Sequence, residues 1–193
     1  MKEEYYYIAW PPDNGTYMWA DFRRTGTPPP GILCEVCGQR INFDLVNPNY
    51  TPPRSYYDLS SCYDGDYLVS PRLRDFLIGS GLLGLHFGTI PKSCRYLVLR
   101  CSNVLTYVRG PGVHEEEYCE RCRTYRSVWG SGPKGDRFEG IDEPIEVGIY
   151  ISNMHFGYYP QKGPLLVVGR NTWKEMVKQG FKGLSNGKPV LSD

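Results

Sequence analysis

Cys34-Glu35-Val36-Cys37-Gly38 and Cys119-Glu120-Arg121-Cys122 decide how this chain is read. Each is a pair of thiols separated by two residues, the spacing at which one tight turn aims both sulfurs at a single ion. Gly38 suits the residue after such a knuckle, where the backbone turns to positive φ at no steric cost only for glycine. Together the four cysteines predict a tetrahedral zinc site of the ribbon type, with Cys34, Cys37, Cys119 and Cys122 as ligands. Eighty-one residues separate the pairs, far more than the roughly 15–20 of a compact ribbon. Most of a domain must therefore leave and re-enter between the two halves of one site.

Other uses of these cysteines fit less well. A redox CxxC opens a helix after a strand, whereas Ile32-Leu33 before the first pair and Gln39 to Phe43 after it read as strand, knuckle, strand. Seven cysteines is an odd number for a disulfide framework, and a chain of this length does not need staples. Cys62, Cys94 and Cys101 remain as small buried hydrophobes. Met1-Lys2-Glu3-Glu4-Tyr5 lacks the apolar segment of a signal peptide and the apolar runs are only a few residues long, so the expectation is a cytoplasmic protein with no membrane span.

Composition sets the outer limits. The 193 residues suffice for one α+β domain over 1–193, carrying a zinc-ribbon lobe from about 31–46 plus 115–128. A formal net charge of +1 argues against a dedicated polyanion binder, so nucleic acid is an unlikely partner. Sixteen tyrosines, 22 glycines and 16 prolines point to many turns and half-buried strands.

Along the chain, Tyr5 to Trp10 reads as a strand ended by Pro11-Pro12, with Tyr17 to Phe22 returning as its partner. Ile41 to Val46 is expected as the second strand of the first knuckle, and Asn47 to Ser55 as the way out of the lobe. Ser70-Pro71 starts a helix through Ile78, with Ser70 as cap and Gly79 or Gly81 closing it. Cys94 to Val108, Ile145 to Ile151 and Leu165 to Val168 read as strands, and Gly130 to Gly140 as a long loop. Thr172-Trp173-Lys174-Glu175 has capping-box spacing ahead of a second helix ended by Gly180. Gly81-Leu82-Leu83-Gly84-Leu85 and Gly180-Phe181-Lys182-Gly183-Leu184 echo one another after the two helices. The fold class is α+β: a largely antiparallel sheet, two short helices and the two-knuckle lobe.

No residue set reads as catalytic. His114, with four residues between it and Cys119, stands too close to the cysteines for a zinc deaminase, which draws its histidine from a separate helix. Gly79-Ser80-Gly81 and Gly130-Ser131-Gly132 lack the spacing of a nucleophile elbow, and no P-loop is present. Four cysteines around one ion leave no open coordination position, so the metal is structural and the protein is not an enzyme.

The paired motifs Cys34-x-x-Cys37-Gly38 and Cys119-x-x-Cys122, far apart in about two hundred residues, resemble the double-CXXCG family of myxobacteria. Arg123 stands where that pattern has a second glycine. The resemblance implies an immunity protein that binds and neutralises a cognate protein toxin. The side chains expected at that interface are Tyr56, Tyr57, Arg121, Tyr125, Trp129, Tyr158 and Tyr159, because aromatic and arginine anchors dominate binding energy. The alternative is a zinc-ribbon nucleic-acid-binding or regulatory protein, with Arg121, Arg123 and Arg126 beside Tyr125 and Trp129.

Overall fold

The computed structural model describes residues 4–20, 26–53, 57–130, 137–184 and 187–191. Two sheets, rather than one central sheet, make up the body. The strands are β1 (Glu4–Ala9), β2 (Leu59–Ser61), β3 (Tyr67–Val69), β4 (Leu85–Ile90), β5 (Ser93–Cys101), β6 (Val104–Leu105), β7 (His114–Cys119), β8 (Thr124–Trp129), β9 (Ile149–Tyr158), β10 (Gln161–Gly169) and β11 (Lys188–Leu191). The helices are α1 (Pro71–Gly79) and α2 (Arg170–Lys178). The larger sheet runs β11-β1-β10-β9-β8-β7 and the smaller runs β2-β3-β5-β4. All pairings are antiparallel except the short β6, which lies parallel to β9.

Alternation along the strands explains why two sheets form. Tyr7, Ala9, Leu166 and Val168 point to one face of the larger sheet, where Val69, Leu99, Leu73 and Leu77 of the smaller sheet and α1 meet them. Tyr6, Ile8, Leu165 and Val167 point to the opposite face, under Tyr107 and Phe138. Leu68, Val98 and Tyr96 turn to the outer face of the smaller sheet, where Met18, Trp19, Ile32 and Tyr50 cover them. With a side-chain period of two, a strand apolar at every position must be covered on both faces.

The echo after the helices is a real structural correspondence. β3, α1 and β4 form a split β-α-β unit with β5 lying between its strands, and β10, α2 and β11 form another with β1 between. β2 flanks the first unit as β9 flanks the second, so the orders β2-β3-β5-β4 and β9-β10-β1-β11 coincide, antiparallel at every step. Both helices end alike. Gly81 and Gly180 sit at φ 68° and 69°, and each amide bonds the carbonyl three residues back. Gly84 and Gly183 repeat positive φ three residues on.

Several expectations are corrected. β1 pairs with β10 and β11, not with the segment from Tyr17. The amides of Met18 and Trp19 instead donate to the two oxygens of buried Asp64, at 2.8 and 2.7 Å. Asp21 and Phe22 lie outside the described residues. Ile41 to Val46 forms no strand, because the Asn42 side chain accepts the Asp44 amide at 2.9 Å and turns the chain away. Ser70 caps α1 as expected, its hydroxyl accepting from the Leu73 amide. Thr172 does not cap α2, which begins two residues earlier at Arg170. The amides of Arg170 and Asn171 are taken by the carbonyls of Ile145 and Glu146, leaving the Thr172 hydroxyl to accept from Gly148. Among the described residues, no helix is long and apolar enough to cross a membrane.

Candidate metal centre

Each cysteine pair sits at the tip of a hairpin. In the first, Leu33 bridges Arg40, the Cys34 amide donates to the Gln39 carbonyl at 2.7 Å, and the Gly38 amide returns to the Cys34 carbonyl at 2.7 Å. In the second, β7 and β8 are the flanks, Cys119 pairs with Thr124, and the Arg123 amide returns to the Cys119 carbonyl, also at 2.7 Å. The two tips are congruent, with Gly38 at φ 74° and Arg123 at φ 56° in equivalent places. A non-glycine residue in that left-handed region costs roughly 1–2 kcal/mol.

The fold brings the tips face to face. The four sulfurs of Cys34, Cys37, Cys119 and Cys122 lie within 4.8 Å of one another. Cys34 Sγ is 3.8 Å from Cys119 Sγ, and Cys37 Sγ is 3.6 Å from Cys122 Sγ. A disulfide needs about 2.05 Å. Four sulfurs bound at about 2.3 Å around a tetrahedral ion stand about 3.8 Å apart, close to the two separations across the tips. The quartet therefore fits a thiophilic four-coordinate ion, and all seven cysteines are free thiols.

The surroundings favour thiolates. Burial alone would raise the Cys34 thiol, but the amides of Cys37 and Val36 and the neighbouring cysteines bring it down to about 7. The Cys122 amide is the main cause of a lowered Cys119, working against burial. Cys37 is pushed up to about 12, chiefly by burial, with the other three thiols adding to it. Without an ion the four charges resist one another, so a divalent cation is the natural completion.

A side chain that sequence reasoning missed holds the two tips together. Gln39, only 5% exposed, donates through Nε2 to the carbonyls of Tyr125 and Arg126 at 2.9 and 3.1 Å. Its Oε1 accepts the Thr124 hydroxyl at 2.7 Å, and Thr124 Oγ1 lies 3.1 Å from Cys122 Sγ. A glutamine after a knuckle carries no signal of this; only the facing backbone of β8 gives it a purpose.

The residues expected at a partner surface separate into two places. Trp129 is stacked between His114 and Tyr158, with ring centroids 6.0 and 5.1 Å away across three neighbouring strands. Tyr158 is 60% exposed. Tyr125 leans on Tyr118, Tyr159 lies under the Arg126 guanidinium, and Arg121 is exposed at the second tip. Tyr57 belongs instead to the segment entering β2 of the smaller sheet. Tyr56 lies outside the described residues.

A second buried group, Cys62, Asp64 and Asp66, is already satisfied. Asp64 holds the two amides named above, and Asp66 is clamped by the guanidinium groups of Arg40 and Arg100. Cys62 lies against the Tyr50 hydroxyl at 3.2 Å, and Cys101 donates to the Ile149 carbonyl at 3.2 Å. Cys94 is exposed near the β4–β5 turn, contrary to the expectation of burial. No protein-family model, curated protein sequence or solved structure matches the chain.

Proposed function

We propose that the protein is a zinc-bearing immunity protein that binds and neutralises a cognate protein toxin. The observation that carries the metal half is the quartet of sulfurs at tetrahedral spacing. Tetrathiolate sites of this kind take zinc or iron; paired knuckles with no open ligand position favour a structural zinc ion, forming a ribbon from two distant segments. The ion fastens the tip at Cys34 to the β7–β8 hairpin and thereby fixes a stretch of surface.

That surface supports the partner half. The stacked His114, Trp129 and Tyr158, with exposed Arg121 at the far tip of the same hairpin, have the aromatic and arginine character of interface anchors. The likeness of the two cysteine motifs to the double-CXXCG family supplies the toxin as the partner. Nucleic acid is a weaker reading, because Arg126 and Arg109 are paired with Glu117 and Glu115 on the same hairpin. Co-expression with the product of an adjacent toxin gene is the test. A stable complex, protection of the cell and near-stoichiometric zinc are expected; neither complex nor protection would sink the reading. Complex formation that collapses steeply with added salt would favour the polyanion alternative.

A further inference from the structure

A cleft of about 480 Å³ opens beside the second tip, walled by Tyr118, Tyr125 and Tyr159 and by four cations. Three of those cations are answered from within the protein. Arg40 is held by Asp66, and Arg109 lies 3.4 Å from Glu115. Lys162 donates to the Tyr125 carbonyl, and burial holds its ammonium below the usual lysine range, with Cys122, Cys37 and Glu115 working against that shift. The fourth, Arg123, has no side-chain hydrogen bond or ion pair with any described residue.

Arg123, like Glu117 in the same hairpin, is a non-glycine residue at positive φ, where a side chain is conformationally costly. The congruent position in the first tip is Gly38, which accepts positive φ freely. A strained side chain at a cleft is a pointer to use, because the strain is kept only where something repays it. Here it places an unpaired guanidinium, whose planar fork suits oxyanions, in a cleft that three tyrosines also line.

We propose that this cleft binds a small ligand carrying one phosphate group on a planar aromatic body, the class of a nucleoside monophosphate. Arg123 takes the phosphate; the tyrosine walls take the base. The volume lies within the range of small-molecule sites, and a base stacked on an aromatic ring gains enough to distinguish the ligand from phosphate alone. The proposal stands apart from toxin binding and needs no partner protein.

The test titrates the metal-loaded full chain with AMP and, separately, with inorganic phosphate, read by calorimetry. Saturable AMP binding is expected, at least about tenfold tighter than phosphate and weakened about tenfold or more by Arg123→Gly. Because glycine is at ease at this φ, the variant is expected to keep its metal content and its melting temperature or raise the latter. Arg123→Lys, retaining charge without the fork, should bind AMP between the two. No saturation up to about 10 mM AMP, equal affinity for phosphate, or unchanged binding in Arg123→Gly would each overturn the proposal.

Discussion

Single residues carry the sharpest consequences. Cys119→Ser removes a buried ligand and leaves three thiolates around an incomplete shell, so stability should fall by on the order of 4 kcal/mol or more, with metal lost. Cys94→Ser, at an exposed site, should stay within about 0.5 kcal/mol. Urea unfolding alongside metal analysis separates them, and equal effects would remove the tetrathiolate from the account. His155 is a different kind of probe. Burial, aided by Lys162 and Arg40, holds its imidazole down to about 4. The unfolded chain binds that proton near pH 6.5, so between about pH 6.5 and 4 the unfolded state holds more protons. Stability therefore falls as pH falls through that window, by no more than about 3 kcal/mol from this group, and levels off below it. His155→Gln should show a shallower loss over the same range. Parallel curves for variant and parent would contradict the assignment.

At the scale of elements, the glycines after the helices have separable duties. Gly180 has positive φ and open space around it, so Gly180→Ala should cost about 1 kcal/mol, the backbone penalty alone. Gly183 also has positive φ, but an added Cβ would stand 2.0 Å from the Leu59 carbonyl oxygen. Backbone cannot step aside as a side chain can, and Gly183→Ala should cost about 3 kcal/mol or more by denaturant unfolding. Similar midpoints for the two variants would mean that the approach to β2 is loose. Legibility differed by element for physical reasons. The cysteine tips and α1 were readable because local spacing, Ser70 and Pro71 dictate them. β7 hid behind Glu115-Glu116-Glu117, residues with weak strand preference that an outermost strand tolerates, here by exposing Glu116 and Glu117 and half-burying Glu115 beside Arg109. The start of α2 was misplaced because carbonyls of 145–146, distant in sequence, do the work of a side-chain cap. Lys162 and His155 gave no signal, and Arg123 stood out only as a departure from the second knuckle's glycine and as one of three arginines there, since a cleft exists only once β8, β9 and the first tip meet.

Across the whole molecule, the division into two sheets was hidden for the same reason: β1 finds its neighbours more than 150 residues away. The cysteine centre stands outside the main apolar clusters, into which only Ile32 and Leu33 of the first tip reach. Removing the ion should therefore loosen one region first. Hydrogen exchange after chelation is expected to speed up over 32–41 and 115–128, while β1, β5 and β10 stay protected. Uniform acceleration along the chain would show instead that the ion governs global folding.

The pairing of Glu4 with Leu191 has a consequence for how the gene could be rewritten. Since β11 runs beside β1, a short peptide could join them as the turn between β4 and β5 already joins their counterparts. Opening the chain instead between β8 and β9 would then place both split units in tandem, each continuous in sequence. Such a circularly permuted version keeps every strand neighbour.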